Sequence, residues 1–91
     1  MERHDDLFKI VQHYGVTAQK NIAIEELSEL IKEICKHYRG ESNINHIAEE
    51  IADVQIMINQ LMIGMGLTPD VKKFYNAKID RQLTRIAKEG E

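Results

Sequence analysis

Tryptophan is absent from this chain, proline and cysteine occur once each, and only five residues are aromatic: Phe8, Tyr14, Tyr38, Phe74 and Tyr75. A lone Cys35 cannot close an intrachain disulfide, so a disulfide-stapled scaffold is excluded. Its position on an apolar helical stripe reads as packing. With no low-complexity tract, 43% hydrophobic and 30% charged residues, the composition excludes disorder as well. No signal-peptide pattern opens the sequence, and a reducing cytoplasm is the expected compartment. Alternating strand patterns are also missing, which leaves an all-α chain.

Neither sign of charge prevails strongly. The formal net charge of −3 removes any general reason to bind nucleic acid or an anionic membrane surface. The distribution is less even than the total. Residues 21–53 hold eight acids against three bases, whereas residues 70–91 hold six bases against four acids. Such a middle and tail are either complementary structural faces or the two sides of something that carries both cations and phosphates.

At 91 residues the chain is a single small domain, near the size at which a partner subunit often completes the core. Leu7, Ile10, Val11 and Tyr14 at i, i+3, i+4, i+7 predict a first helix over 3–14, stopped by Gly15. Thr17 is placed to cap a second helix reaching Tyr38, with Ile24, Leu27, Ile31, Ile34 and Tyr38 as its apolar stripe, broadened by Ala23 and Leu30, and Gly40 as its end. Ser42 or Asn43 can cap a third from about Ile44 to Met65, and Thr68-Pro69-Asp70 can open a fourth that runs to about Lys88. Short turns between long helices force sequential neighbours to pack antiparallel.

The third helix is apolar on two sides. Its main stripe is Ile47, Ile51, Val54, Ile58 and Met62, while Ile56, Met57 and Ile63 project from the opposite side. A helix apolar nearly all round is surrounded by protein, and a second subunit is the expected cover.

What the chain does contain is a repeated acidic pattern. EELSEL at 25–30 and EEIADV at 49–54 both run acid, acid, aliphatic, small, acid, aliphatic. Glu26 and Glu29 lie about 60° apart around the helix, as do Glu50 and Asp53, so each pair reaches a common point. Both pairs flank an apolar stripe, where they can face one another across an antiparallel interface. Four converging carboxylates without counter-charge repel and hold protons, a conflict that divalent cations resolve.

An all-oxygen donor set suits hard ions, Mg²⁺ first and Mn²⁺ next, with charge enough for two ions. A di-iron carboxylate bundle would need Glu-x-x-His, and none is present; Glu33 and His37 are four apart. His4, His13, His37 and His46 share no ligand spacing and read as surface or helix-end residues. On the fourth helix Lys78, Arg81 and Arg85 share one face, as i, i+3 and i+7.

Glu25-Glu26-Leu27-Ser28-Glu29 followed by Glu50-Ile51-Ala52-Asp53 resembles the E-E-x-x-E, spacer, E-x-x-D signature of the MazG-like all-α nucleoside triphosphate pyrophosphohydrolases. The likeness spans about residues 18–86, and Asn76-Ala77-Lys78-Ile79-Asp80-Arg81 is similar, more weakly, to the N-x-K-x-x-R stretch often found there. What the resemblance implies is Mg²⁺-dependent cleavage of a nucleotide between its α and β phosphates, releasing a nucleoside monophosphate and pyrophosphate.

By that likeness Glu26, Glu29, Glu50 and Asp53 would be metal ligands. Glu25 would be the base or an outer-shell orienter of the attacking water, and Asn76, Lys78 and Arg81 would meet the phosphates. Two chains would complete four-helix bundles by dimerisation, singly or as a dimer of dimers. The contrasting expectation is a non-catalytic helical interaction or regulatory module that retains the fold.

Overall fold

A computed structural model of the chain describes residues 2–41 and 43–90. Four helices follow one another: α1 (His4–Tyr14), α2 (Val16–Tyr38), α3 (Ile44–Gly64) and α4 (Thr68–Glu89). Among the described residues there is no strand, in agreement with the all-α expectation.

The helix ends follow local chemistry, with two departures from the expected caps. A single residue, Gly15, separates α1 from α2, and its φ of 90° with ψ of 151° is a backbone conformation that side chains disfavour. The redirection of the chain therefore begins two residues earlier than a threonine cap would allow, and Thr17 lies inside the first turn of α2. Thr68 likewise lies inside α4, whose cap position is Leu67 and which has Pro69 and Asp70 in its first turn.

Asn43 does cap α3, its side chain accepting a 2.8 Å hydrogen bond from the Asn45 amide; Ser42, the other expected cap, lies outside the described residues. α2 and α3 end with the same pair of bonds. The Gly40 and Glu41 amides return to His37 and Lys36, and those of Gly66 and Leu67 to Ile63 and Met62. Each pair satisfies carbonyls that the helix end leaves open.

The α2–α3 hairpin is the frame of the molecule. Its two helices make the most extensive contact in the chain, and α1 lies mainly against α3. Leu7 and Val11 from α1 are buried there with Met57, and Ala23 is buried on α2. At the far end of the hairpin Gly64 admits close approach: a Cβ at this position would stand 2.8 Å from Val16 Cγ2 and 3.1 Å from Val11 Cγ2.

Which face α2 turns inward is the main correction to the sequence reading. Its inward residues are Gln19, Ala23, Glu26, Leu30 and Glu33, all buried or half-buried. Ile24 and Ile31, both from the expected core stripe, are 63% and 62% exposed, and Leu27, Ile34 and Tyr38 are exposed too. Cys35 is exposed rather than packed. On α3, Met57 is buried within the chain, whereas Ile51 and Ile58 from the expected inner stripe are open. Apolar periodicity marks the face with the most to gain from burial without specifying which surface covers it.

The molecule is also more open than a closed domain of its length. Its radius of gyration is 16.3 Å, against about 12 Å for a compact chain of this size. α4 accounts for much of the difference, since its backbone approaches that of α3 alone and none of its described residues is buried.

Gly64→Leu tests the close approach at the end of the hairpin. The replacement gains up to about 1 kcal/mol of helix propensity, but overpacking against Val16 and Val11 costs about 1–3 kcal/mol. A net loss of stability is expected in urea unfolding followed by circular dichroism, and equal or higher stability would remove the steric account.

Candidate metal centre

Antiparallel packing of α2 on α3 assembles the acids. At one level of the seam Gln19 meets Gln60. Seven residues further along α2, Glu26 meets Asp53, which lies seven residues back along α3. One turn before Asp53, Glu50 joins them, and one oxygen from each of Glu26, Glu50 and Asp53 lies within 4.8 Å of the others. Glu26 and Glu50 are half-buried in the seam, whereas Asp53 is exposed at its edge.

Electrostatics confirm that the group is crowded. The Glu26 carboxyl is held above its ordinary value of 4.5, first by burial, then by the charges of Asp53 and Glu50, by a hydrogen bond with Asp53 and by Glu29. Glu50 is also raised, by burial first and then by Asp53, Glu29, Glu33 and Glu49. Among the described residues no lysine or arginine forms an ion pair with Glu26, Glu50 or Asp53. Glu50 Oε2 is buried and has no hydrogen-bond partner. An acceptor in that position is costly to leave unsatisfied.

This donor set fits a hard divalent cation. Ligand oxygens about 2.1 Å from Mg²⁺ stand about 3.0 Å apart when adjacent and about 4.2 Å when opposite. The carboxylate oxygens of Glu26, Glu50 and Asp53, within 4.8 Å of one another, stand at separations of that order. The orphaned oxygen of Glu50 would gain a partner, and the repulsion that raises both glutamates would be relieved.

The other expected site residues are placed less centrally. Glu29 is exposed at the rim, close enough for its charge to act on both Glu26 and Glu50. Glu25 is exposed beside Glu26. Asn76, Lys78 and Arg81 are exposed along α4, whose backbone does not approach α2, so one chain does not join the basic stripe to the acids.

One acid was missed in the sequence reading. Glu33 is 9% exposed on the inward face of α2, 3.5 Å from Lys36 Nζ, and its charge reaches Glu50. It follows Glu26 by seven residues, two helical turns along the same face, a spacing that could have disclosed it.

A groove of about 910 Å³ lies between α1, α3 and the start of α4, with Leu7, Ile10, Val54 and Met62 on its walls. It contains none of the clustered acids, and its shape alone supplies no chemistry. No family model, curated protein or solved structure matches this chain.

Raised carboxyl pKa values invert the usual pH response. Because the folded values of Glu26 and Glu50 exceed the unfolded ones, their contribution to stability is complete below the ordinary carboxylate value and is lost as pH rises through the raised ones. Metal-free protein should gain Tm as the pH falls from neutral toward the ordinary carboxylate value. Glu50→Gln should raise the metal-free Tm at pH 7 and flatten that gain. Mg²⁺ at a hundredfold excess over its Kd should stabilise the wild type by about 2.7 kcal/mol and the variant by much less. Calorimetry with and without chelator checks all three, and a Mg²⁺-insensitive Tm would remove the metal centre.

Proposed function

We propose that this protein is a homo-oligomeric, Mg²⁺-dependent nucleotide pyrophosphohydrolase that cleaves nucleoside triphosphates between the α and β phosphates, with Mn²⁺ as a working substitute. The observation that carries this reading is the carboxylate group of half-buried Glu26 and Glu50 with exposed Asp53, which has an unpartnered oxygen and, among the described residues, no paired lysine or arginine. Such a site favours a ligand that brings positive charge with it, as a triphosphate does when it arrives with divalent ions. The E-E-x-x-E and E-x-x-D motifs, through their likeness to MazG-like enzymes, narrow the reaction to pyrophosphate release.

In this mechanism Glu26, Glu50 and Asp53 would hold the cation, and Glu29 at the rim would complete the set of four carboxylates. A bound divalent ion supplies charge neutralisation at the phosphate oxygens and at the leaving pyrophosphate. Glu25, exposed beside the cluster, orients the attacking water or accepts its proton. As the oxygen of that water adds to phosphorus, the bridging bond between the α and β phosphoryl groups breaks and pyrophosphate leaves. Asn76, Lys78 and Arg81 donate hydrogen bonds to the phosphate chain, balancing charge at a distance from the metal.

Since α4 does not approach α2 in its own chain, the reading assigns these donors to a second copy. Surface area supports such an assembly. A compact chain of 10.5 kDa exposes about 5,400 Å², whereas this one exposes 7290 Å². The excess of roughly 1,900 Å² is what one partner contributes to a large obligate interface.

The exposed Ile24, Leu27, Ile31 and Ile34 of α2 and Ile44, Ile51 and Ile58 of α3 lie on the same rotational side of the seam, about 100–120° round from the inward residues. That shared face, rather than the side bearing Ile56, Met57 and Ile63, is the one we assign to the second copy. Burial of two such hairpins face to face would make a four-helix bundle.

Purified protein with Mg²⁺ and a panel of NTPs and dNTPs should release pyrophosphate, and Glu50→Gln or Asp53→Asn should abolish the release with helical content unchanged. Lys78→Ala should raise KM more than it disturbs folding. If metal binds yet no nucleotide is cleaved, a non-catalytic helical module replaces the enzyme.

Light scattering should give at least a dimer for the wild type and a smaller species for Ile31→Asp. A monomeric wild type would contradict the shared aliphatic face.

A further inference from the structure

The most enclosed large side chain among the described residues is an amide. Gln60 is 2% exposed and Gln19 6%. Gln19 Nε2 donates to Gln60 Oε1 at 2.6 Å across the α2–α3 seam, and Gln60 Nε2 turns to Met57 Sδ at 3.8 Å. Neither amide belongs to the acidic group, since Glu26 lies two helical turns, about 10 Å, further along α2.

On stability alone the pair is a poor choice for this position. A buried amide pair recovers in its hydrogen bond roughly what its desolvation costs, whereas two apolar side chains of the same shape would be neutral or better. What the hydrogen bond adds is direction. Apart from Glu33 and the acidic group, the inward residues, among them Ala23, Leu30, Ile47, Val54, Met57 and Leu61, present small and aliphatic surfaces. Surfaces of that kind tolerate sliding by one turn far better than a short hydrogen bond does.

There is also a force that favours sliding. In the native alignment Glu26 stands against Glu50 and Asp53, and their mutual repulsion raises the cost of that alignment whenever no cation is bound. The connecting turn ties one end of the hairpin. The amide pair ties the other, and the acids lie between the two anchors.

We propose that Gln19 and Gln60 are positioning residues whose hydrogen bond sets the axial register of α2 against α3, holding the carboxylates in line before the cation arrives. Their purpose rests on the metal-centre reading, but their geometry does not. A buried polar contact between helices acts in the same way when it selects one register of a coiled coil. The hydrogen bond is thus a device of alignment more than of stability.

The test replaces both amides by a side chain of nearly the same shape, as Gln19→Met/Gln60→Met in the full chain. Nitroxides at Lys20→Cys and Ala48→Cys, in a Cys35→Ser background, lie well apart along the hairpin axis, so a slip of one turn changes their separation by about 5 Å.

Wild-type protein without metal should give one distance population, and the double variant a second or a broadened one, with Tm equal or higher. Mn²⁺ affinity, read by electron paramagnetic resonance, should fall at least tenfold in the variant, as for other residues that orient metal ligands. A merely structural role would lower Tm and leave the distance single. Should the thioether pair fail to fold, Gln19→Leu/Gln60→Leu takes its place.

An unchanged distance distribution overturns the proposal whatever the metal does. A wild type that binds no Mn²⁺, beside a variant whose register splits, removes the metal centre and leaves the alignment role standing.

Discussion

Glu26 of α2 faces Glu50 and Asp53 of α3 across the seam, with no lysine or arginine paired to any of the three among the described residues, and the rest of the structure depends on that confrontation. Burial and like charge both act against it, raising the pKa of two of its members. A protein that aligns such groups has to hold two helices in place against their repulsion. The means lie close by: an Asn43 cap at the start of α3, matched hydrogen-bonded stops on α2 and α3, a glycine that lets the helices close together and a buried amide pair. None of these adds much stability alone, and each restricts where α2 can sit against α3.

Turning polar residues into the seam has a consequence on the opposite side. α2 spends its inward face on Gln19, Glu26 and Glu33, so its isoleucines look outward beside those of α3. Among the described residues no other helix covers them, because α1 occupies another side of α3 and α4 leads away. The open shape, the surplus of surface and the unpartnered aliphatic face are one fact seen three ways, and together they support the proposed second copy.

Charge follows the same division. Acids gather in the hairpin while Lys78, Arg81 and Arg85 sit on an exposed α4, so attraction between the two is not spent within one chain. Free carboxylates can then take cations and free bases can take phosphates. Under the proposed function a metal–triphosphate complex bridges the two sets, with substrate binding and assembly drawing on the same separated charges.

Much of this was legible in the residues alone, and the exceptions have a common cause. Periodicity, glycine stops and the Asn43 cap located all four helices, because those signals act within a few residues of the chain. The i, i+3 spacing of Glu26 with Glu29 and of Glu50 with Asp53 also showed which acids could share a helical face.

Pairing between helices is a different kind of question. That Glu26 aligns with Asp53, that Glu33 lies inward and Ile31 outward, and that Gln19 finds Gln60 across 41 residues were decided by packing. A local pattern defines the faces a helix offers, but the choice among them is made by the total free energy of the surfaces that meet. In this hairpin that choice brings together amides and carboxylates and leaves the richest aliphatic stripe in the open.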